Sequence, residues 1–263
     1  MRGLSGRRMS LVAVLVSLVL CCSAFAAEGK QDAKPWTSDI SVDLAGTYNG
    51  MYVWRGIRVV DGRVLQPSAS VGYDGLSVGA WGNMDLSDIN GQDNDFTEID
   101  LTVDYSWSWE SLALSVGSVY YTFPHGPANA STLELYGSVG LDAPLSPSVT
   151  LYQDVDEAGG SYATLSVGHT FEDLFRPVEG VPVSLQLGGS MAYGSSGFNE
   201  FYYGTNSAGP ADAVLTASLP VQVSENLSLS PTLNYSTLLD GAIRDSLQKP
   251  ESFWAGVTLS YSF

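Results

Sequence analysis

Six ionisable residues have the types and spacing to act together: Arg55, Glu98, Asp100, Asp104, Glu134 and Asp154. In Glu98-Ile99-Asp100-Leu101-Thr102-Val103-Asp104 the carboxylates lie two and four positions apart, so in a strand all three point the same way. Carboxylates gathered around one guanidinium support two kinds of chemistry. Rings of charge lining a pore select ions. The same groups packed together form a neutralised network, in which arginine bonds carboxylates through two parallel N–H donors. On the sequence both readings stay open.

Other chemistry has less to work with. The two histidines are His125, in the loop-like Phe123-Pro124-His125-Gly126-Pro127, and His169, which has the apolar parity of its stretch. Neither has a sequence-local nucleophile or acid beside it, so no enzyme is expected. Asp88, Asn90, Asp93 and Asp95 place oxygen ligands around Gly91 but lack the full spacing and terminal Glu of a calcium loop. A weak calcium site is the most they offer. No cofactor is expected.

The elements that must position these groups are strands. Ile40, Val42, Leu44, Tyr48, Tyr52 and Trp54 share one parity, and Ser41, Asp43, Thr47, Asn49 and Arg55 the other. That is the pattern of a strand between apolar and wet surroundings. It recurs along the chain and ends in Phe253/Ala255/Val257/Leu259/Tyr261/Phe263, giving about twelve strands of the ~9 to 11 residues that a tilted strand needs to cross a bilayer. No helix is needed to describe it. Tight links such as Asp74-Gly75, Glu110-Ser111 and Ser224-Glu225-Asn226 alternate with longer polar ones at 87–95, 194–210 and 238–251. Short periplasmic turns and long external loops of this kind belong to a transmembrane antiparallel β-barrel, with aromatics such as Tyr105, Trp107, Trp109, Tyr120, Tyr121, Tyr193 and Phe253 at interface depth. A secreted β-sandwich shares the period but not the terminal Tyr261-Ser262-Phe263. A final Phe with an aromatic two residues before it resembles the signal read by the barrel assembly machinery.

The ends and the charge agree with export. Arg2, Arg7 and Arg8 precede an apolar run from Leu11 to Leu20 and then Ala24-Phe25-Ala26-Ala27, a signal peptide over 1–26. Residues 27–38 read as a flexible periplasmic lead-in, and 39–263 as the barrel. Cys21 and Cys22 fall inside the leader, so the mature chain has no disulfide; a lipid anchor on one of them is the rival reading. Without the three leader arginines, the eleven basic and twenty-eight acidic residues of the chain become a mature net charge of about −20. Nucleic acid is excluded as a partner. Cations, cationic solutes, and divalent ions bridging to anionic lipid and lipopolysaccharide are what such a surface attracts.

Tyr52-Val53-Trp54-Arg55-Gly56-Ile57, with Asp61-Gly62 and Gln66-Pro67 after it, resembles the opening signature of the TorF-like porin family. Gly75-Leu76-Ser77-Val78-Gly79-Ala80-Trp81, Glu98-Ile99-Asp100-Leu101, Val119-Tyr120-Tyr121-Thr122-Phe123-Pro124 and Leu133-Glu134-Leu135-Tyr136-Gly137 follow in the family's order. The resemblance covers about residues 40 to 170, with Trp54 where Phe is commoner. It implies an outer-membrane barrel that forms a channel, and it brings no catalytic residue or defined substrate.

A passive channel for small solutes, cation-preferring because of its inward carboxylates, is the expected function; a plugged structural barrel and a barrel enzyme are the alternatives. Removing Phe263 is expected to lower the amount of protein recovered in the outer membrane, with material degraded or stalled in the periplasm. Unchanged surface levels by fractionation and surface labelling would show that Tyr261 and Phe263 are no assembly signal.

Overall fold

The computed structural model describes residues 40–91, 93–127, 130–178 and 181–263. The leader expected at 1–26 and the lead-in at 27–38 lie outside the described residues.

Twelve antiparallel strands close on themselves. In chain order they are β1 (Ile40–Asn49), β4 (Val64–Tyr73), β5 (Leu76–Asp85), β6 (Phe96–Trp109), β7 (Leu112–Thr122), β8 (Thr132–Leu141), β9 (Ser148–Asp154), β10 (Ser161–Val178), β11 (Val181–Gly194), β12 (Gly209–Ser218), β14 (Leu227–Leu238) and β15 (Glu251–Ser262). Each pairs with its neighbours in sequence, and the ring is sealed where β1 meets β15, with Asp43 opposite Ser262 and Tyr48 opposite Val257. A two-residue strand, β13 (Val221–Gln222), continues the place of β12 between β11 and β14. The break falls at Pro220, which has no N–H to give the ladder.

Closure follows from the alternation. Leu101, Val103, Tyr105, Leu135, Val139, Leu151, Leu165, Leu215 and Leu233 are exposed on the outer face, while Glu98, Asp104, Glu134, Thr150, Ser166 and Asn234 are buried inside. A one-residue slip would exchange the two faces, which is what holds the register. Exposed aromatics gather at both strand ends: Tyr105, Trp107, Trp109, Tyr261 and Phe263 at one, Tyr48, Tyr120, Tyr193 and Phe253 at the other. Only lipid makes such a face stable, and the two bands mark its interfaces. Among the described residues no helix is long and apolar enough to span a membrane.

The tight turns lie where expected. Asp74 and Gly75 both have positive φ, the type I′ form that two-residue hairpins favour, and Glu110 turns the next hairpin with φ of 54°. They share an end with Phe263, whose backbone exchanges hydrogen bonds of 2.8 and 3.0 Å with Val42. At that end β10 and β11 run on as an irregular ladder to Val178 and Val181, so the turn expected from Glu172 is strand as far as Val178. Tyr261 and Phe263 are exposed, with ring centroids 5.6 Å apart.

The end opposite Phe263, the external end in the expected topology, departs from a simple alternating pattern in two ways. The first strand stops at Asn49, and Tyr52–Trp54 (β2) and Ile57–Val60 (β3) form a small hairpin of their own. Tyr52 is buried and Trp54 packs on inner aromatics, so both face the lumen and not lipid. Tyr121 likewise points inward. The long links also hold two short helices where none was expected, α1 (Ser196–Tyr203) and α2 (Gly241–Ser246). Ser195 caps α1 by accepting from Phe198 N–H, and Gly204 ends it with φ of 71°, which glycine adopts without strain.

Leu233 lies midway along β14 on the lipid side, next to inward Asn234. Leu233→Arg is expected to cost about 2 to 4 kcal/mol in reversible urea unfolding from phospholipid vesicles, the penalty for a cation near the bilayer midplane. Equal costs for Leu233→Arg and Asn234→Arg would contradict this assignment of faces.

Candidate functional site

Arg55 and Gly56 are the two turn residues of the β2–β3 hairpin, with φ of 46° and 77°. Glycine suits this turn; arginine does not, because a side chain with positive φ is strained. The hairpin folds into the barrel, not away from it. A Cβ on Gly56 would lie 2.5 Å from Leu238 Cδ2 and 2.9 Å from Asp212 Cβ, so only glycine lets the turn rest against β12 and β14.

From that turn the Arg55 side chain reaches the far wall. Its Nη1 and Nη2 donate to Glu134 Oε1 and Oε2 on β8 at 2.6 and 2.7 Å. Tyr121 on β7 donates to Glu134 Oε2 at 2.8 Å. Four rings enclose the guanidinium: Tyr162 at 4.3 Å, Trp54 at 4.5 Å, Tyr152 at 4.8 Å and Phe198 at 5.2 Å. Each cation–π contact of a desolvated arginine contributes about 0.5 to 2 kcal/mol. The side chains of Arg55 and Glu134 are 9% and 1% exposed, so the pair is held in a dry setting.

Other pieces of the external end close around it. Tyr203 of α1 donates to the Arg55 carbonyl at 2.8 Å, and Ser246 of α2 donates to the Tyr203 carbonyl at 2.7 Å. Phe198, Tyr203, Leu238, Ile243, Tyr162 and Ala211 form an apolar cluster inside the barrel, with Trp54, Tyr152 and Tyr202 against it. Arg58 ties the base of the hairpin to the top of β15, donating to the Glu251 carbonyl at 2.7 Å and to Ser252 Oγ at 3.2 Å. It also pairs with Asp61 at 2.9 Å. The Lys249 ammonium bonded to Asp61, together with Arg58, holds that loop carboxyl below the usual carboxylate range.

The expected selectivity residues divide into three groups. Arg55, Glu98, Asp100 and Glu134 do come together: Tyr52 bonds Glu98, and Asp100 is close enough to Glu98 and Glu134 to interact electrostatically. One oxygen of Asp100, Oδ1, is buried without a hydrogen-bond partner among the described residues. Asp154 is at the right end but does another job. Its Oδ1 accepts backbone N–H groups of Asp156, Ala158 and Gly159 at 3.0 to 3.3 Å, and Thr132 donates to its Oδ2 at 2.8 Å, so it shapes the β9–β10 loop. Asp104 is inward but not at the depth of Arg55, since four residues of strand separate it from Asp100 by about 13 Å. It accepts from Tyr136 at 2.7 Å and from Ser106.

Asp212 was not singled out by the sequence. It is buried, lies against Gly56, and accepts from Tyr162 at 2.6 Å. Its signal was the inward parity of Asp212 beside outward Ala213 and Leu215. Beside this cluster an amide chain runs around the inner wall, from Asn49 to Gln66 at 2.8 Å, Gln66 to Asn83 at 2.9 Å and Asn83 to Thr97 at 2.8 Å.

Among the described residues, no three His, Cys, Asp or Glu side chains are placed to hold a metal, so Asp88, Asp93 and Asp95 do not converge. His125 Nε2 is 3.6 Å from Asp95 Oδ2, beyond hydrogen-bond reach, with both side chains exposed. His169 is exposed on the outer face, its ring edge-on to Phe171.

Glu134→Gln leaves the Arg55 guanidinium buried opposite a neutral group, and is expected to lower unfolding stability by about 3 to 5 kcal/mol. Arg55→Gln with Glu134→Gln should recover part of that loss. A double-mutant cycle in urea unfolding measures the coupling, and additive single-variant effects would mean that the pair contributes nothing.

No family model matches the chain, and no curated protein matches it. Among solved structures it is similar to a KdgM porin, at 13% identity over 85% of this chain and 99% of that one, with a TM-score of 0.48. It is also similar to a NanC porin, at 11% identity over 84% and 98%, with a TM-score of 0.45. An outer membrane channel from Pseudomonas putida F1 matches at 10% identity over 91% and 100%, with a TM-score of 0.45. The resemblance to TorF-like porins rests on the motif residues alone.

Proposed function

We propose that the chain is an outer-membrane channel of porin type, in which the Arg55 hairpin narrows the external half of the lumen and small solutes diffuse past it. One observation carries the reading: the inner wall is largely polar, and its largest apolar cluster lies toward the external end. Ser70, Ser115, Ser138, Ser148, Ser166, Ser190 and Thr258 place small, buried hydroxyl side chains along the rest of the inner wall. The cluster joins Phe198, Tyr203 and Ile243 of the two loop helices to Tyr162, Ala192, Ala211 and Leu238 of the wall, with Trp54 and Ile57 of the hairpin against it. A polar interior suits a barrel that passes water-soluble solutes.

Cations are the favoured solutes under this proposal. Glu98, Asp100, Asp104, Glu134, Asp154 and Asp212 face inward, and Arg55 is the cation set among them. The balance makes the interior potential negative. The motif resemblance to TorF-like porins supports the channel, not its charge preference. Lipid and lipopolysaccharide around the apolar belt, and the assembly machinery acting on Tyr261 and Phe263, are the partners it implies. A second reading, a closed structural barrel, is favoured by the density of contacts around Arg55.

Reversal potentials in planar bilayers under a salt gradient separate these. Wild type is expected to prefer cations, more so as Arg55→Gln and less so as Glu98→Gln/Asp100→Asn. The preference should fade between 0.1 and 1 M salt, as the screening length falls from ~10 to ~3 Å. Anion preference in wild type would refute the charge reading. No current from wild type or Arg55→Gln would establish the closed barrel instead.

A further inference from the structure

We propose that the Arg55 cage is a guanidinium-binding site occupied by the chain's own side chain, for which a solute ending in a guanidinium or amidinium group competes. The inference rests on the channel reading and names the solute class that its constriction recognises.

The cage is complete without the hairpin in all but one wall. Glu134 and Tyr121 belong to β8 and β7, Tyr152 and Tyr162 to β9 and β10, and Phe198 to α1; Trp54 alone travels with Arg55. What they surround fits a planar cation. A carboxylate offers both oxygens at 2.6 and 2.7 Å, the geometry a guanidinium fork matches and an ammonium does not. Rings at 4.3 to 5.2 Å cover the cation.

The occupant is delivered at a cost. Arg55 holds φ of 46° in a turn position that Asn, Asp or Gly would fill more easily. The hairpin behind it is short, with β2 of three residues and β3 of four. A tethered side chain also sets the threshold of the site. Its effective concentration is about millimolar or higher, so a free solute displaces it only near or above that level. A solute that does so separates the hairpin tip from Glu134 and widens the constriction, which makes the site a gate opened by its own ligand class.

The test is calorimetric titration of the full barrel in detergent micelles with methylguanidinium, and with methylammonium at equal ionic strength. Arg55→Ala is expected to bind methylguanidinium at least tenfold more tightly than methylammonium, and at least tenfold more tightly than wild type does. Adding Glu134→Gln to Arg55→Ala should remove tenfold or more of that affinity. Arg55→Lys, which keeps a cation but lacks the fork, serves if the alanine variant does not assemble; it too should bind the probe more tightly than wild type. Equal affinity for the two probes, equal affinity of wild type and variant, or indifference to Glu134→Gln would each overturn the proposal. Guanidinium binding of the expected pattern in a barrel that passes no current sinks the channel reading and leaves the cage standing; current without guanidinium selectivity does the reverse.

Discussion

The external half of this barrel depends on one buried ion pair. A guanidinium inside a barrel is expensive to dehydrate, and a single carboxylate repays that only when the geometry is good and the remaining polar atoms are satisfied. Here the geometry is good: Glu134 takes two donors from Arg55 and one from Tyr121, and the faces of the guanidinium are covered by rings. Tyr152, Tyr162, Phe198 and Trp54 pack on the cation, which ties α1 and the hairpin to the wall. Loss of the charge would therefore loosen two pieces of chain that lie far apart in sequence.

The interior carboxylates differ in what they do, although parity treats them alike. Glu134 neutralises Arg55, Asp154 gathers the N–H groups of a loop, Asp212 holds Tyr162, and Asp104 bonds Tyr136. Glu98 and Asp100 are the two that remain beside the pair with fewer partners.

Alternation carried most of the architecture, since an inward or outward side chain is set by parity once a strand is recognised. All twelve wall strands and the side occupied by each of Glu98, Asp100, Asp104, Glu134 and Asp154 were readable that way. Parity also placed Arg55 inside, but for the wrong reason: it extended the first strand through Tyr52 and Trp54, where the chain has already left the wall at Gly50. A turn made by Arg55-Gly56 is hard to see, because arginine is not a turn residue and only Gly56 hints at positive φ. The helix α1 had a signal that went unused, Phe198 and Tyr202 four apart between a Ser cap and Gly204. Depth was the other limit. Parity does not say how far along a strand a group lies relative to one on another strand, so Asp104 was grouped with residues about two rungs above it.

The position of β8 gives the ion pair a mechanical meaning. Around the ring, β8 is five strands from β1 on one side and seven on the other, so a link from the hairpin that follows β1 to Glu134 spans nearly a full diameter. Barrels of this width can flatten toward an oval at little cost in hydrogen bonds, because bending is shared among many ladders. A strut across the middle forbids one direction of flattening. It also starts from the strand that forms the β1–β15 seam, the join made between the two ends of the chain, so the same strut that keeps the cross-section round also pulls the seam strand inward and resists its peeling away.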